Sequence, residues 1–575
     1  LSLVFCSERV VCAALLLIGS AACGKKAAAP PPRYAVVRFE NLSGDASLDW
    51  TGRAASEVLA WRLSGALDGP VLSDQALNRA AAGMGGNPQP RAKALLAGAT
   101  RLIAGYVERG GSGFRICAYE EDLVTHRNVR VLSAEAPQPI EAIRQLVREF
   151  SNSARPYPTS NGEALKLYAT ALDESPENAL PDLRKAVDRD PQFGPAWLSL
   201  VDATGLRGDR AALLDVIREA LRHKIDPADS AAVQFEKAVL ENDKEARVTA
   251  LRAMMANNPG DLILLRNLAE TEAGAGDFRG AAINWGKLRE QAPDDRNAWN
   301  QLGYTLAWAG DYGKAIAALK EYAARWPDDP NALDSTGDVE YLYGKYAAAS
   351  ADYLKANEKN PQFLNGGELY KAAWAQFRAG DRAKADATFE RFKTARGKSG
   401  DAGLIQFEGD WLYRTGRQKE AAALLRMKSV TVAQPAVAGA LLSQLAIWDL
   451  LANDRTAAAK DATLAATKPS SNIGAVARFA ALPSASAEEW ERRGETLLRG
   501  SGADAARQFA VGVALLLDGK RDAARPVWDK IAQDASATDF FTRAVDARLN
   551  GRKPHFAILP DPMNVNQLLA MEERL

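Results

Sequence analysis

Histidine is nearly missing from this chain: there are three in 575 residues, His126, His223 and His555, far apart in sequence. A metal site or catalytic triad built on histidine is therefore not expected, and nothing in the sequence calls for a cofactor. Cysteine is almost as scarce, and three of the four, Cys6, Cys12 and Cys23, fall in the first 23 residues. Cys117 stands alone in the body, so no internal disulfide framework can form and stability must come from packing. An excess of one charge is missing too, with 72 basic and 72 acidic residues. That balance argues against nucleic acid as a partner, because phosphate binding needs a basic excess or stripe. No glycine pair with a following Lys-Ser/Thr is seen that would cradle nucleotide phosphates, and no carboxylate pair has a spacing that predicts one shared pocket. Catalysis has the least support.

What is present is a period. Pro259, Pro293, Pro327 and Pro361 are each 34 residues apart, as are Gly276, Gly310 and Gly344, and then Ala281, Ala315 and Ala349. Pro191, Trp197 and Gly208 fall on the same register earlier in the chain. Small residues recur where helices must touch, and proline recurs where a helix must stop. The segment from Arg296 to Asp329 carries Trp299, Leu302, Gly303, Ala315 and Pro327 in order, and so resembles the tetratricopeptide repeat, a helix-turn-helix unit. The resemblance implies a mainly α fold, an α-α superhelix of the tetratricopeptide type. Six units fit one register over 160–363, and longer, divergent helical repeats are expected over 364–550, with the extra residues absorbed in turns.

Residues 10–22, VVCAALLLIGSAA, form an apolar run of 13. This is too short to cross a bilayer and has the length of a signal-peptide core, so 1–22 is expected to be a signal peptide. The sequence Ser20-Ala21-Ala22-Cys23 resembles a bacterial lipobox, which implies lipidation at Cys23; secretion without a lipid and an uncleaved segment are the alternatives. Gly24 after the cysteine favours, by the same resemblance, the outer membrane facing the periplasm. KKAAAPPPR, with three consecutive prolines, is expected to be an extended tether over 23–33. Contact with the membrane would then be through the lipid alone.

Residues 34–155 have a different pattern. YAVVRF (34–39) is a strand signal and Trp50 to Leu67 has helical spacing; segments 100–109, 113–120 and 127–135 suggest a three-strand meander before a helix over 139–150. Cys117 is expected to face inward from its strand. This α/β order, with FENLSGD after the first strand, resembles the amino-terminal domain of the TolB family. If its NLSGD loop binds a ligand, Asn41, Ser43 and Asp45 are the polar groups, at a strand's carboxyl end. SARPYPTSN (153–161) has the turn residues of a boundary, and 551–575 is expected to cap the last unit.

In the repeat family the first helix of each unit lines a concave face. Carried onto this sequence, those positions are Arg266, Asn267 and Glu270, then Asn297, Asn300, Gln301 and Tyr304, then Asn331, Asp334, Ser335, Asp338 and Tyr341. They are expected to be free of packing duty and to hold an extended peptide or protein, with Trp308 one turn after Tyr304 extending an aromatic patch. The Lys, Asn and Arg set that clamps a terminal carboxylate in some family members is not seen. The expectation is a non-enzymatic interaction scaffold of the cell envelope. A second reading is a sensory or regulatory component whose α/β domain binds a small ligand.

Overall fold

The computed structural model describes residues 32–81, 88–111, 113–257, 261–468, 478–497 and 504–533. The expected signal peptide, Cys23, nearly all of the tether and the C-terminal cap lie outside the described residues. Runs of β-branched and aromatic residues form β1 (Tyr34–Val36), β2 (Glu40–Asn41), β3 (Val71–Leu72), β4 (Arg101–Gly110), β5 (Gly113–Asp122) and β6 (Arg127–Ala136). The sheet order is β3-β1-β4-β5-β6, with β1 parallel to β3 and β4, and with β4, β5 and β6 an antiparallel meander. Helices α1 (Asp49–Leu63) and α4 (Pro139–Phe150) cover one face, through Ile143, Leu146 and Val147 against Ile116 and Ala134. Helices α2 (Asp74–Ala81) and α3 (Pro90–Leu96) cover part of the other, through Leu77 and Ala94 against Ala35 and Leu102. Cys117, at the middle of β5 opposite Tyr106, is only half-buried.

Helix pairs follow. They are α5 (Gly162–Ala171) with α6 (Pro176–Arg189), α7 (Gly194–Gly205) with α8 (Arg210–Ala220), and α9 (Pro227–Leu240) with α10 (Lys244–Asn257). Next come α11 (Leu262–Gly274) with α12 (Phe278–Gln291), α13 (Arg296–Trp308) with α14 (Tyr312–Arg325), and α15 (Asn331–Leu342) with α16 (Tyr346–Lys359). Beyond the strict period are α17 (Gly367–Arg378) with α18 (Arg382–Lys398), α19 (Leu404–Arg414) with α20 (Gln418–Thr431), and α21 (Pro435–Leu451) with α22 (Arg455–Ala466). The described chain continues with α23 (Ala487–Leu497), α24 (Asp504–Leu517) and α25 (Arg521–Gln533). The architecture is a tetratricopeptide-type helical array preceded by a small α/β sheet region.

Each recurring residue has a local task. Gly310 has φ +92°, a left-handed turn that an L side chain rarely adopts, and Asp311 beside it caps α14 by accepting from the Lys314 amide at 3.1 Å. Asp277 and Asp381 cap α12 and α18 in the same way. A Cβ on Gly337 would lie 2.7 Å from the Tyr353 ring, so α15 and α16 can approach only over a glycine. The prolines do more than stop helices: the Trp299 indole donates to the Pro293 carbonyl at 2.9 Å, and Trp197 to Pro191 at 3.0 Å. Each Pro-Trp pair thus ties the end of one unit to the first helix of the next.

The α/β region and the first repeats share one apolar core, which runs from Tyr34 to Val233 without a break at 153–161. Arg53 of α1 is the central tie: its guanidinium bonds Asp74 at 2.5 Å and Asp173, beyond α5, at 2.7 Å. Trp61 meets Tyr157 edge-on at 5.5 Å, and Arg155 lies over the Trp61 ring at 3.7 Å. Tyr157 in turn packs on Phe193 at 5.7 Å. The proline-rich segment is therefore a packed joint and not a loose connector.

Candidate functional site

The first helices of three successive pairs, α11, α13 and α15, carry the expected groove residues, and they present them very differently. On α11, Asn267 and Glu270 are exposed, while Arg266 is half-buried and paired with Asp295, the cap of α13. On α13, Asn297 is exposed and Asn300 and Gln301 are half-buried. The Asn300 Oδ1 is shielded from solvent and accepts no hydrogen bond. Tyr304, one turn on, donates from its hydroxyl to Asp338 at 2.7 Å, and the same oxygen lies in hydrogen-bond contact with the Ser335 hydroxyl at 3.1 Å. Trp308 stacks on the Tyr304 ring at 5.6 Å and 20°, and tilts against Phe278 at 5.5 Å, with its indole N–H unpartnered.

On α15 the expectation of free side chains fails. Asp334 is 4% exposed and Asp338 6% exposed. Lys371 of α17 donates to both Asp334 oxygens at 2.9 Å and to Asp338 Oδ1 at 2.9 Å, and Tyr353 of α16 donates to Asp338 at 2.8 Å. Neighbouring pairs thus close over both carboxylates, and Ser335, 0% exposed, is enclosed with them. Asn331 bonds the Tyr322 hydroxyl at 3.4 Å, and Tyr341 packs edge-on against Tyr346 at 5.1 Å.

Glu368 of α17 completes this buried cluster. It is 0% exposed, and neither carboxyl oxygen has a partner. Burial first, and then the charge of Asp334, push its pKa up to about 7. Burial and the adjacent Asp338 likewise push Asp334 up to about 6, against the pull of Lys371. Burial works to lower Lys371, but Asp338 and Asp334 outweigh it and hold the ammonium charged. Among the described residues no group of acidic, histidine or cysteine side chains is arranged to hold a metal ion. Lys371 and Glu368 were not singled out from the sequence. The available signal was Lys371 lying 37 residues after Asp334, a same-face position of the next first helix with the opposite charge.

The loop at the carboxyl end of β2 also spends its polar groups on itself. Asn41 Oδ1 accepts from the Ser43 amide at 3.0 Å and hydroxyl at 2.6 Å, while its Nδ2 donates to the Asp45 carbonyl at 2.9 Å and to Asp49 at 2.6 Å. Asp45 accepts from the Ser47 hydroxyl and amide, and these bonds hold its carboxyl below the usual range. The arrangement is an Asx-type turn that leads into α1.

Among the described residues no helix is long and apolar enough to cross a membrane. The tetratricopeptide repeat family model matches residues 369–399, the pair α17 and α18. A comparison with curated proteins finds no match. Among solved structures, the chain is similar to the MamA protein, at 19% identity over 30% of this chain and 94% of that one, with a TM-score of 0.26. It is similar to a tetratricopeptide repeat protein from Parabacteroides merdae, at 17% identity over 44% of this chain and 97% of that one, with a TM-score of 0.30. Pseudomonas aeruginosa pilF is similar at 17% identity over 38% of this chain and 97% of that one, with a TM-score of 0.25.

Proposed function

We propose that the chain is a non-enzymatic protein-interaction scaffold of the bacterial cell envelope, anchored by a lipid at Cys23 and holding an extended segment of a partner protein along α11 and α13. The observation that carries this reading is the Asn300 side chain: a shielded acceptor with no partner, beside exposed Asn297 and half-buried Gln301 on one short helix. Such a group costs free energy while unbonded, and once the Asn300 side chain rotates outward a backbone N–H from an extended peptide would satisfy it. Glu270 and Asn267, one unit earlier, extend the same polar row. The α15 carboxylates support the row from beneath and do not belong to it. The ligand-sensing reading of the α/β region gains nothing from its loop, because Asn41, Ser43 and Asp45 already bond one another and their neighbours.

The test is site-specific photocrosslinking in intact cells of the full chain, with the reactive residue at 297 or 300 and a control at exposed Thr463 of α22. A discrete protein adduct at 297 and 300, absent at 463, is the expected result. Adducts at 463 alone would overturn it. Separately, Cys23→Ala should release the chain from the membrane fraction, and unchanged association would remove the lipid anchor from the account.

A further inference from the structure

Opposite the polar row, the array contains a cavity of about 420 Å³ bounded by α10, α11 and α12. Leu265, Leu268 and Glu272 of α11 line its floor, spaced three and four residues apart on one face. Arg266, Asn267 and Glu270 fall half a turn away on the same helix, so the cavity opens on the side away from the proposed peptide row. Its walls are the facing stripes of two second helices. On α12 these are Gly280, Ile283, Asn284, Lys287 and Gln291, and on α10 Arg252 and Met255. The α12 stripe runs from Gly280 to Gln291, about 16 Å along the axis.

The lining has a definite chemistry. Glu272 is 1% exposed but fully engaged: Arg252 donates to Oε1 at 2.8 and 3.1 Å, and Asn284 donates to Oε2 at 2.8 Å. What a visitor meets is therefore the apolar floor, Ile283 standing 61% exposed at the mouth, and the ammonium of Lys287, held among the described residues by a 3.4 Å bond to Asn284. The adjoining units do not repeat this mouth: one period earlier and one later, the place of Ile283 is taken by Thr249 and Ala317, and that of Lys287 by Ala253 and Glu321.

We infer that this cavity is a second docking site, for a partner helix bearing two apolar side chains one turn apart and an acidic residue beside them. An apolar cavity of about 150 Å³ already holds one benzene-sized group, so the volume here takes two large apolar side chains. The α12 stripe, about three turns long, suits a helix laid along it, its anchors at i and i+4. Lys287 selects a carboxylate next to those anchors, since an ammonium there would meet a like charge.

The test uses the full chain and three short, alanine-rich helical peptides. One carries a Leu pair one turn apart flanked by Glu, the second has Lys in place of Glu, and the third has Ser in place of Leu. Fluorescence anisotropy should give the Leu-Glu peptide a Kd about tenfold or more below both others. Ile283→Asp should abolish that preference without unfolding an exposed position, and Lys287→Glu should reverse it toward the Lys peptide. Asn300→Ala should leave it unchanged, which separates this site from the proposed row on α13. Equal binding of the three peptides, or an Ile283→Asp chain that binds as before, would overturn the proposal. So would binding of laurate at this cavity with none of the peptides bound, which would assign it to a lipid.

Discussion

Two stretches of the same array, α11 to α13 and α15 to α17, use equivalent helix positions for opposite ends. On α13 they hold amides, Asn297, Asn300 and Gln301, and the surface stays open, with one acceptor unbonded. On α15 they hold Asp334 and Asp338, and the next first helix closes over them with Lys371 at 2.9 Å. Amides need no counter-charge, so no charged side chain of α15 reaches across them, and α15 meets α13 through the Tyr304 hydroxyl instead. Two carboxylates do need one, and once buried with it they become structure. The lesson is that a polar position on the first helix of a repeat stays free of packing only where the following unit does not answer its charge.

The sharpest way to break this comparison is to remove the answer. Lys371→Met leaves two buried carboxylates uncompensated and should cost about 3–5 kcal/mol locally. Because arrays of this kind lose structure unit by unit, the measurement is hydrogen exchange resolved by segment, with protection lost in α15 to α17 and kept in α11 to α13. Uniform protection after the substitution would mean that the cluster is not what holds this joint. A smaller effect is expected from Gly337→Ala, whose new Cβ would press on the Tyr353 ring at 2.7 Å. Overpacking of this sort should cost about 1–3 kcal/mol, and it should also loosen the Tyr353 bond to Asp338.

Solution pH sharpens the same contrast. Glu368 ordinarily titrates near 4.5 and is raised to about 7 by burial first, and Asp334 is raised from 3.8 to about 6. The folded joint therefore binds more protons than the unfolded chain between those limits, so its stability is fully present at the acid end and is lost as pH rises through 6 to 7. Segment-resolved exchange, corrected for intrinsic rates, should show α15 to α17 less protected at pH 8 than at pH 5. The expected loss is on the order of 1–3 kcal/mol. Glu368→Gln should reduce that dependence to the part carried by Asp334 and by Glu340 of α15, which burial pushes up to about 7. Asp229, raised to about 7 by burial and by Asp226, predicts the same direction where α9 meets the α/β region, whereas α13, without a carboxylate on its inner face, should be indifferent.

The repeat itself was legible because its steric requirements recur at a fixed spacing. Proline ends a unit, glycine turns the chain, and small residues such as Ala315 and Gly303 stand where helices touch. The α/β order was legible from strand composition. The answering lysine was not, because the spacing changes just before it. Residues 363–366 form a tight turn in which Leu364, Asn365 and Gly366 all take positive φ, and this inserts extra residues between Asp334 and Lys371. A period of 34 places Glu368 opposite Asp334, a like charge that gives no hint of an ion pair. Nor does the cavity beside Ile283 announce itself, since an apolar residue on a helix looks the same in sequence whether it is covered or open.

The smallest effect on stability is expected where the proposed effect on binding is largest. Asn300→Ala deletes a shielded acceptor that bonds nothing in the free chain, so stability should change by no more than about 0.5 kcal/mol, and in the favourable direction. If a partner's backbone N–H is what Asn300 awaits, the same substitution must weaken capture, by about tenfold for one buried hydrogen bond and the loss of its donor's pairing. A thermal unfolding scan and a binding measurement on the same variant then move in opposite directions, as expected of a residue kept for a partner. A variant that loses both stability and binding would instead place Asn300 with Asp334 and Asp338, as one more inner-face side chain whose partner is the protein itself.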